Sequence, residues 1–238
     1  MPTILAVDTS ATPVSCAILQ DDRLVASYYA HTKSTHSQTL MPMIEHALNI
    51  NGLTMNDIDA LAVCNGPGSF TGVRIGVSAV KGLAFADKKT SIEVSTLAAM
   101  AEGFRGLPMR AVICCAMDAR CQQVYTALFS IDSNGDIQRL TNDEAVSLDE
   151  LKSRLESLNT PIILVGDGAP ICYSAFNSDL PNVSLSPIVL RYQSAANVAV
   201  AAMHKLNSDE VISDEALLPS YLRLPQAERE LRSRQGLE

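Results

Sequence analysis

The feature that most constrains the fold is an internal repeat, because the chain carries the same arrangement of strands and turns twice, 110 positions apart. An apolar run ends at Asp8 and a second apolar run begins at Ser15, and the same pattern recurs around Asp118 without a gap. In each half a third extended segment follows, then a helix-spaced apolar pattern, a short buried strand and a glycine-containing loop. Ala-rich helices predicted at 71–87 and 194–206 close the two halves.

A hairpin followed by alternating strands and helices predicts a mixed sheet covered by helices. Two such units side by side form the duplicated α/β architecture of actin-like and sugar-kinase-like (ASKHA) proteins, with a cleft between two lobes. Gly and Pro break the periodic pattern at 106–108. We therefore predict an N-terminal lobe at 1–106 that carries dimerisation helices, a C-terminal lobe at 107–225 and a charged tail at 226–238.

The composition predicts a folded protein that binds nucleic acid poorly by itself. Apolar residues make up 47% of the chain, which excludes disorder of the whole chain, and a net charge of −8 opposes attraction to phosphate. The absence of Trp leaves few surfaces on which bases could stack. The first apolar run has no basic leader and no long apolar window follows. We therefore expect a cytoplasmic protein that does not enter a membrane and keeps its six cysteines reduced.

The two Asp turns and the later glycine loop are candidates for a cleft site. In this architecture they face the cleft, where backbone N–H groups can hold phosphate and Asp can position a metal-bound water. An Asp at a tight turn can equally serve as a cap that accepts hydrogen bonds from its own backbone, and the sequence leaves both interpretations open. Neither Asp is followed by the Gly that close approach of a phosphate usually needs. The candidate residues of this vestigial nucleotide cleft are Asp8, Thr9, Ser10, Asp118, Gly166 and Gly168.

The most unusual stretch is the glycine-rich loop at 65–72 and the helix predicted after it. The loop follows a strand and opens a helix, but it matches neither a dinucleotide fingerprint nor a P-loop. The helix is apolar around most of its circumference, and the helix predicted before it has an apolar stripe wider than one sheet requires. Burial within the same lobe is the alternative, but the pattern favours a protein–protein interface. Its predicted residues are Leu40, Met43, Ile44, Ala47, Gly72, Val73, Gly76, Val77, Val80 and Lys81.

Several runs of the sequence resemble the TsaB (YeaZ) family. The most specific run is Gly66–Gly76, and the matching runs follow the family's order over nearly the whole chain. The runs that carry the resemblance are 4–10, 36–44, 66–76, 81–84, 117–120 with 124–125, 165–169 and 219–223.

The resemblance implies a bacterial subunit of the machinery that installs threonylcarbamoyl on the adenosine beside the anticodon of certain tRNAs. It implies a non-catalytic scaffold that pairs with itself, or with the catalytic paralogue TsaD, through the two helices of the N-terminal lobe. A TsaE-like ATPase is expected to join the assembly, and tRNA is expected to bind only through the complex. We expect no cofactor on this chain alone, and ATP or ADP only at the partner interface.

The resemblance also bears on metal binding, because TsaD enzymes carry a His-x-x-x-His metal motif one strand after the glycine-loop helix. Thr96 and Met100 stand at the two histidine positions here, and neither suits iron or zinc as imidazole does. The other histidines do not form a site, so we expect no metal: they are His31, His36, His46 and His204.

A competing hypothesis within the same fold is a free-standing ATP-dependent kinase or ATPase. In that case Asp8, Asp118 and Asp167 would form a carboxylate set in the cleft, with Asp8 or Asp118 organising Mg²⁺. The two hypotheses differ in whether the cleft residues are free to do chemistry.

Overall fold

The computed structural model describes residues 2–211 and 216–223, so the predicted charged tail at 226–238 lies outside the described residues. Two sheets account for the strands. The first has the order β3-β2-β1-β4-β5 and consists of β1 (Thr3–Asp8), β2 (Val14–Gln20), β3 (Arg23–Ala30), β4 (Ala60–Gly66) and β5 (Thr90–Ser95). The second has the order β11-β10-β6-β7-β8, with β9 also paired to β7, and consists of β6 (Ala111–Asp118), β7 (Gln123–Ile131), β8 (Ile137–Arg139), β9 (Glu144–Ser147), β10 (Ile162–Val165) and β11 (Val183–Leu185).

Both sheets are mixed in the way that the repeat predicts. In the first, β1 pairs antiparallel with β2 and parallel with β4. In the second, β6 pairs antiparallel with β7 and parallel with β10. Asp8 ends β1 and Asp118 ends β6, so each Asp stands at the carboxyl end of the matching central strand. The duplicated two-lobe α/β fold is thus confirmed.

Two pairs of helices cover the outer faces of the two sheets. On the first sheet, α1 (His36–Ile50) and α2 (Phe70–Asp87) pack against the face that presents Leu5 and Val7. On the second sheet, α4 (Leu148–Glu156) and α5 (Ala169–Phe176) occupy the equivalent positions. The remaining helices are α3 (Thr96–Glu102), α6 (Ile188–Arg191) and α7 (Ala195–Asn207). None of the helices in residues 2–211 and 216–223 is both long enough and apolar enough to cross a membrane.

The inner faces of the sheets are joined because each half of the chain contributes a helix to the other lobe. Leu97 and Met100 of α3 pack with Ile113 of the second sheet. Val198 and Ala202 of α7 pack on the inner face of the first sheet. The predicted boundaries assign α7 to the C-terminal lobe, whereas the structure packs α7 on the sheet of the N-terminal lobe. The repeat prediction also paired the wrong helices, since the counterpart of α2 is α5 and the counterpart of α7 is α3.

Candidate functional site

A cleft of about 610 Å³ lies between the lobes. The first lobe lines it with residues 10–12, 32–36 and 67–72, and the second lobe lines it with 117–120 and Asp167. The predicted cleft residues do not all reach it. Asp118 lines the cleft and the buried Ser10 borders it, whereas buried residues lie behind its walls: Asp8, Thr9, Gly166 and Gly168.

The side chain of Asp8 accepts hydrogen bonds from its own turn. Asp8 is only 1% exposed, and one of its carboxylate oxygens accepts hydrogen bonds from the Ser10 N–H at 2.8 Å and the Ser10 hydroxyl at 2.6 Å. The other oxygen accepts a hydrogen bond from the thiol of Cys64 at 3.3 Å. Burial raises the pKa of Asp8, although the hydrogen bonds from Ser10 and Cys64 oppose that rise. These contacts are those of a turn cap, the second of the two interpretations that the sequence left open.

The other two candidate carboxylates are also engaged by neighbouring groups. Asp118 accepts a hydrogen bond from the Arg120 N–H at 2.8 Å, and its second oxygen pairs with the Arg120 guanidinium at 3.1 Å. Asp167 accepts a hydrogen bond from the side-chain amide of Gln193 at 3.0 Å. Burial, and to a smaller extent the charge of Asp118, raises the pKa of Asp167. The set proposed for a kinase therefore includes two carboxylates whose burial favours the neutral form, Asp8 and Asp167.

The glycines of the loop and of α2 permit close packing onto the first Asp turn. A β-carbon on Gly72 would lie 2.1 Å from the carbonyl oxygen of Thr9, and one on Gly76 would lie 2.5 Å from the Thr9 hydroxyl. That hydroxyl donates a hydrogen bond to the Gly72 carbonyl at 2.7 Å. On Gly68 a β-carbon would lie 2.4 Å from the carbonyl oxygen of Ser10. The start of α2 thus rests directly on the turn between β1 and β2.

This packing affects which N–H groups of the first Asp turn are free to hold a nucleotide phosphate. A phosphate is held by backbone N–H groups that are free to point at it. The Ser10 N–H is bonded to Asp8, and the Ser69 N–H donates to the Ser10 carbonyl at 2.7 Å. The side chain of Ser69 caps α2 by accepting from the Gly72 N–H. The N–H groups of Ser10 and Ser69 are therefore engaged within the chain and are not free to hold a phosphate at this turn.

The second lobe repeats this packing with different residues. Gly166 has a φ of +107°, and a β-carbon there would lie 2.1 Å from the carbonyl oxygen of Ala116. A β-carbon on Gly168 would lie 2.8 Å from the carbonyl carbon of Met117. The Gly168 N–H also donates a hydrogen bond to the Ala116 carbonyl at 3.0 Å. Both glycines therefore seat the loop before α5 on the end of β6, and they are not displayed in the cleft.

Most of the predicted interface residues do not lie at the surface of the first lobe. Apart from Met43 and Lys81, which are half-buried, all of them are buried within their own lobe: Leu40, Ile44, Ala47, Gly72, Val73, Gly76, Val77 and Val80. Their side chains pack against the first sheet and against Leu217, which comes from the second half of the chain. A Gly76→Leu substitution would therefore disturb the fold of the lobe, and not simply block association.

The outward face of α1 and α2 carries exposed side chains, both apolar and polar. Met41 is 44% exposed and Ile50 is 66% exposed on α1, and Phe85 is 79% exposed on α2. Arg74 and Ser78 also lie on the exposed side of α2. The polar side chains Arg74 and Ser78 mark this outward face, whereas the surrounding apolar residues mark the side turned to the core.

The positions of the missing histidine motif lie in the protein interior. Thr96 begins α3 and is buried, and Met100 packs in the core between the lobes. Within residues 2–211 and 216–223, no three His, Cys, Asp or Glu side chains come together in a group that could hold a metal ion.

Comparison with known proteins settles the family. A model of the TsaD family, described as tRNA N6-adenosine threonylcarbamoyltransferase, matches residues 29–231. The tRNA threonylcarbamoyladenosine biosynthesis protein TsaB of Bacillus subtilis (strain 168) is 32% identical over 232 residues, covering 95% of this chain and 96% of that protein. The chain belongs to the TsaB family. TsaB of Escherichia coli (strain K12) is 38% identical over 166 residues, covering 69% of this chain and 71% of that protein.

A solved structure extends the TsaB assignment to the whole fold. It is described as an uncharacterized Pseudomonas aeruginosa protein with similarity to peptidase YeaZ. It matches with a TM-score of 0.81 at 29% identity and covers 94% of this chain and 100% of that chain. The resemblance drawn from the sequence is therefore confirmed, and the chain is one of the proteins of tRNA threonylcarbamoyladenosine biosynthesis.

The packing of α2 on the first Asp turn predicts opposite effects for two glycines of one helix. Gly72→Ala is expected to destabilise the protein by about 1–3 kcal/mol, because its β-carbon would meet the Thr9 carbonyl. Gly82→Ala is the matched control, since its β-carbon would have no neighbour within 4 Å. This control is expected to stabilise the helix by up to about 1 kcal/mol. Urea unfolding measures both, and equal effects would contradict the packing.

The burial of Asp8 predicts a pH dependence of stability. Because folding raises the pKa of this carboxyl, ionising it costs more in the folded chain than in the unfolded chain. That penalty is absent below the unfolded pKa and grows as the pH rises toward the folded pKa. Asp8→Asn removes the titration, so the variant is expected to gain stability relative to the unmodified chain as the pH rises above the unfolded pKa of about 4.

Asp57→Asn provides the control for Asp8→Asn. Hydrogen bonds from Thr54 lower the pKa of the exposed Asp57, so its carboxylate adds stability that is lost as the pH falls below the unfolded pKa of about 4. Relative to the unmodified chain, Asp57→Asn is therefore expected to lose stability as the pH rises to about 4 and to change little above it. Urea unfolding at several pH values measures both differences. A difference for Asp8→Asn that stays flat or falls with pH would contradict the burial of an ionisable carboxyl there.

Proposed function

We propose that this chain is a non-catalytic scaffold of the assembly that forms threonylcarbamoyladenosine next to the tRNA anticodon, and that it stabilises and activates a TsaD-like catalytic partner. Family membership supports the pathway. The observation that carries the non-catalytic role is that Asp8 and Asp118 each cap their own turn. A carboxylate whose oxygens are occupied by its own turn is poorly placed to organise Mg²⁺.

The alternative is a free-standing ATP-dependent kinase or ATPase of the same fold. It would require a phosphate at the Asp turns, where the Ser10 and Ser69 N–H groups are already bonded within the chain. In our proposal the chain holds no nucleotide alone, and ATP or ADP binds only where the partner completes a site. The TsaE-like ATPase joins this assembly, and tRNA contacts the chain only through the complex, in keeping with the net charge of −8.

The surface that we assign to the partner is the outward face of α1 and α2. Met41 and Ile50 lie at opposite margins of the exposed side of α1, and Phe85 lies in line with the polar Arg74 and Ser78 on α2. Exposed apolar side chains gain most when a partner covers them, and polar groups around them fix the orientation. The same face would serve pairing with a second copy of the chain or with the TsaD-like partner, so the two pairings would compete.

The two hypotheses predict different results for the Asp turns. The first test is a reaction reconstituted from this chain, a TsaD-family enzyme, a TsaE-like ATPase, tRNA and the required substrates. In it, Asp8→Asn and Asp118→Asn are each expected to keep the rate of threonylcarbamoyladenosine formation within about twofold of the unmodified chain, which corresponds to about 0.4 kcal/mol. Calorimetry with Mg-ATP on the isolated chain is expected to detect no binding. Tight binding with turnover that Asp8→Asn abolishes would establish the kinase or ATPase instead.

The outward face predicts which substitutions weaken association. Phe85→Asp and Met41→Asp each place a charge where an apolar side chain would be covered, and each is expected to lower affinity for the partner at least about tenfold, or 1.4 kcal/mol. Val189→Asp on α6 is the matched control, since Val189 is equally apolar and 85% exposed on the other lobe. Sedimentation and pull-down with a TsaD-family enzyme measure the change. Unchanged affinity in both helix variants would refute this surface.

A further inference from the structure

The segment at 217–223 returns from the second half of the chain to the first lobe. Leu217 is fully buried in the core beneath α1 and α2. The ammonium group of Lys81 on α2 donates a hydrogen bond to the Leu217 carbonyl at 3.2 Å. The first lobe therefore holds the beginning of this segment by both apolar burial and a charged hydrogen bond.

Further along, the segment lies against the glycine loop. The Ser220 N–H donates a hydrogen bond to the Asn65 carbonyl at 2.6 Å. Gly66 has a φ of +130°, and a β-carbon there would lie 2.3 Å from the Ser220 carbonyl oxygen. Glycine at 66 is thus required both by its backbone conformation and by the passage of this segment. The first glycine of the loop is explained by a contact within the chain, with no bound ligand needed.

Tyr221 attaches the segment to the start of α2 through its ring and its hydroxyl. Its ring stacks on Phe70 with ring centroids 4.7 Å apart. Its hydroxyl accepts a hydrogen bond from Arg74 Nε at 2.8 Å, and the Arg74 guanidinium lies 3.8 Å from the centre of the Phe70 ring. Two stacked rings capped by a guanidinium form a fixed attachment point at the edge of the cleft.

The last described residue of the segment crosses to the other lobe. The guanidinium of Arg223 donates a hydrogen bond to the Ala119 carbonyl at 2.6 Å, and Ala119 follows Asp118 in the second Asp turn. Residues 220–223 also line the cleft. Away from the cleft the lobes are joined by the packed helices α3 and α7 and by the hydrogen bond from the Ser95 hydroxyl to Asp143. The lobes are therefore held on two sides, by a packed core and by this segment.

We propose that residues 217–223 form a clasp that sets the width of the interlobe cleft. The core of α3 and α7 acts as the hinge, and the clasp holds the open side through Arg223. Because the packed core is extensive and the crossing bond is single, loss of the Arg223 contact lets the lobes separate without unfolding either one. The clasp is intramolecular and shares Arg74 with the proposed partner surface, but its test on the isolated chain needs no partner.

Electron spin resonance across the cleft tests the clasp directly. Cys121 is exposed next to the second Asp turn while the other five cysteines are buried, so it takes one spin label. Ser34→Cys, at an exposed position of the first-lobe wall, takes the other. Arg223→Ala and Tyr221→Ala are each expected to shift the label-to-label distance to a longer mean and a broader distribution. Arg223→Lys, which keeps one charged donor, is expected to restore part of the shorter distance.

Leu218→Ala is the matched control, because Leu218 belongs to the clasp but is 62% exposed. Its distance distribution is expected to equal that of the labelled chain with no further substitution. Thermal unfolding of every labelled variant checks that the lobes remain folded, and the single Arg223→Ala variant removes only a side chain at the surface of the cleft. An unchanged distribution in Arg223→Ala would overturn the clasp, and so would equal broadening in Leu218→Ala.

Discussion

The seating of α2 on the turn between β1 and β2 is the contact on which the first lobe depends. Gly72 and Gly76 let the helix approach so closely that Thr9 fills the place of their side chains and bonds the helix backbone. That approach fixes where α2 begins, which side of it faces the sheet, and therefore which side is left outward. It also occupies the turn that would otherwise face the cleft with free N–H groups.

The same kind of packing engages the polar groups of both Asp turns within the chain. In both lobes the loop after a central parallel strand is packed by glycine onto the end of the neighbouring strand, and the Asp at that end caps its turn. The Asp8 and Asp118 carboxylates and the Ser10 and Ser69 N–H groups thus contribute to holding the fold. Our proposal that the protein acts by binding a partner rests on this arrangement together with family membership.

The buried interface residues show where sequence reasoning failed and why. The stripe of apolar residues on α1 and α2 seemed wider than one sheet could cover in a lobe of this size. The estimate omitted a contribution that comes from far along the chain, since Leu217 enters the core beneath these helices. Periodicity shows how much of a helix is apolar, but it does not show how many elements will cover it.

The sequence by itself determined the two mixed sheets, their central strands ending at Asp8 and Asp118, the glycine loop and the family. These features depend on local order along the chain: alternating apolar residues, turn residues at fixed spacing, and a repeat that places the same elements twice. Only the tertiary structure decided which face of α2 is outward, that α3 and α7 exchange lobes, and that Arg223 reaches Ala119 across the cleft. Those contacts join residues that are distant in the chain, and they follow from close packing in three dimensions, which no local pattern records.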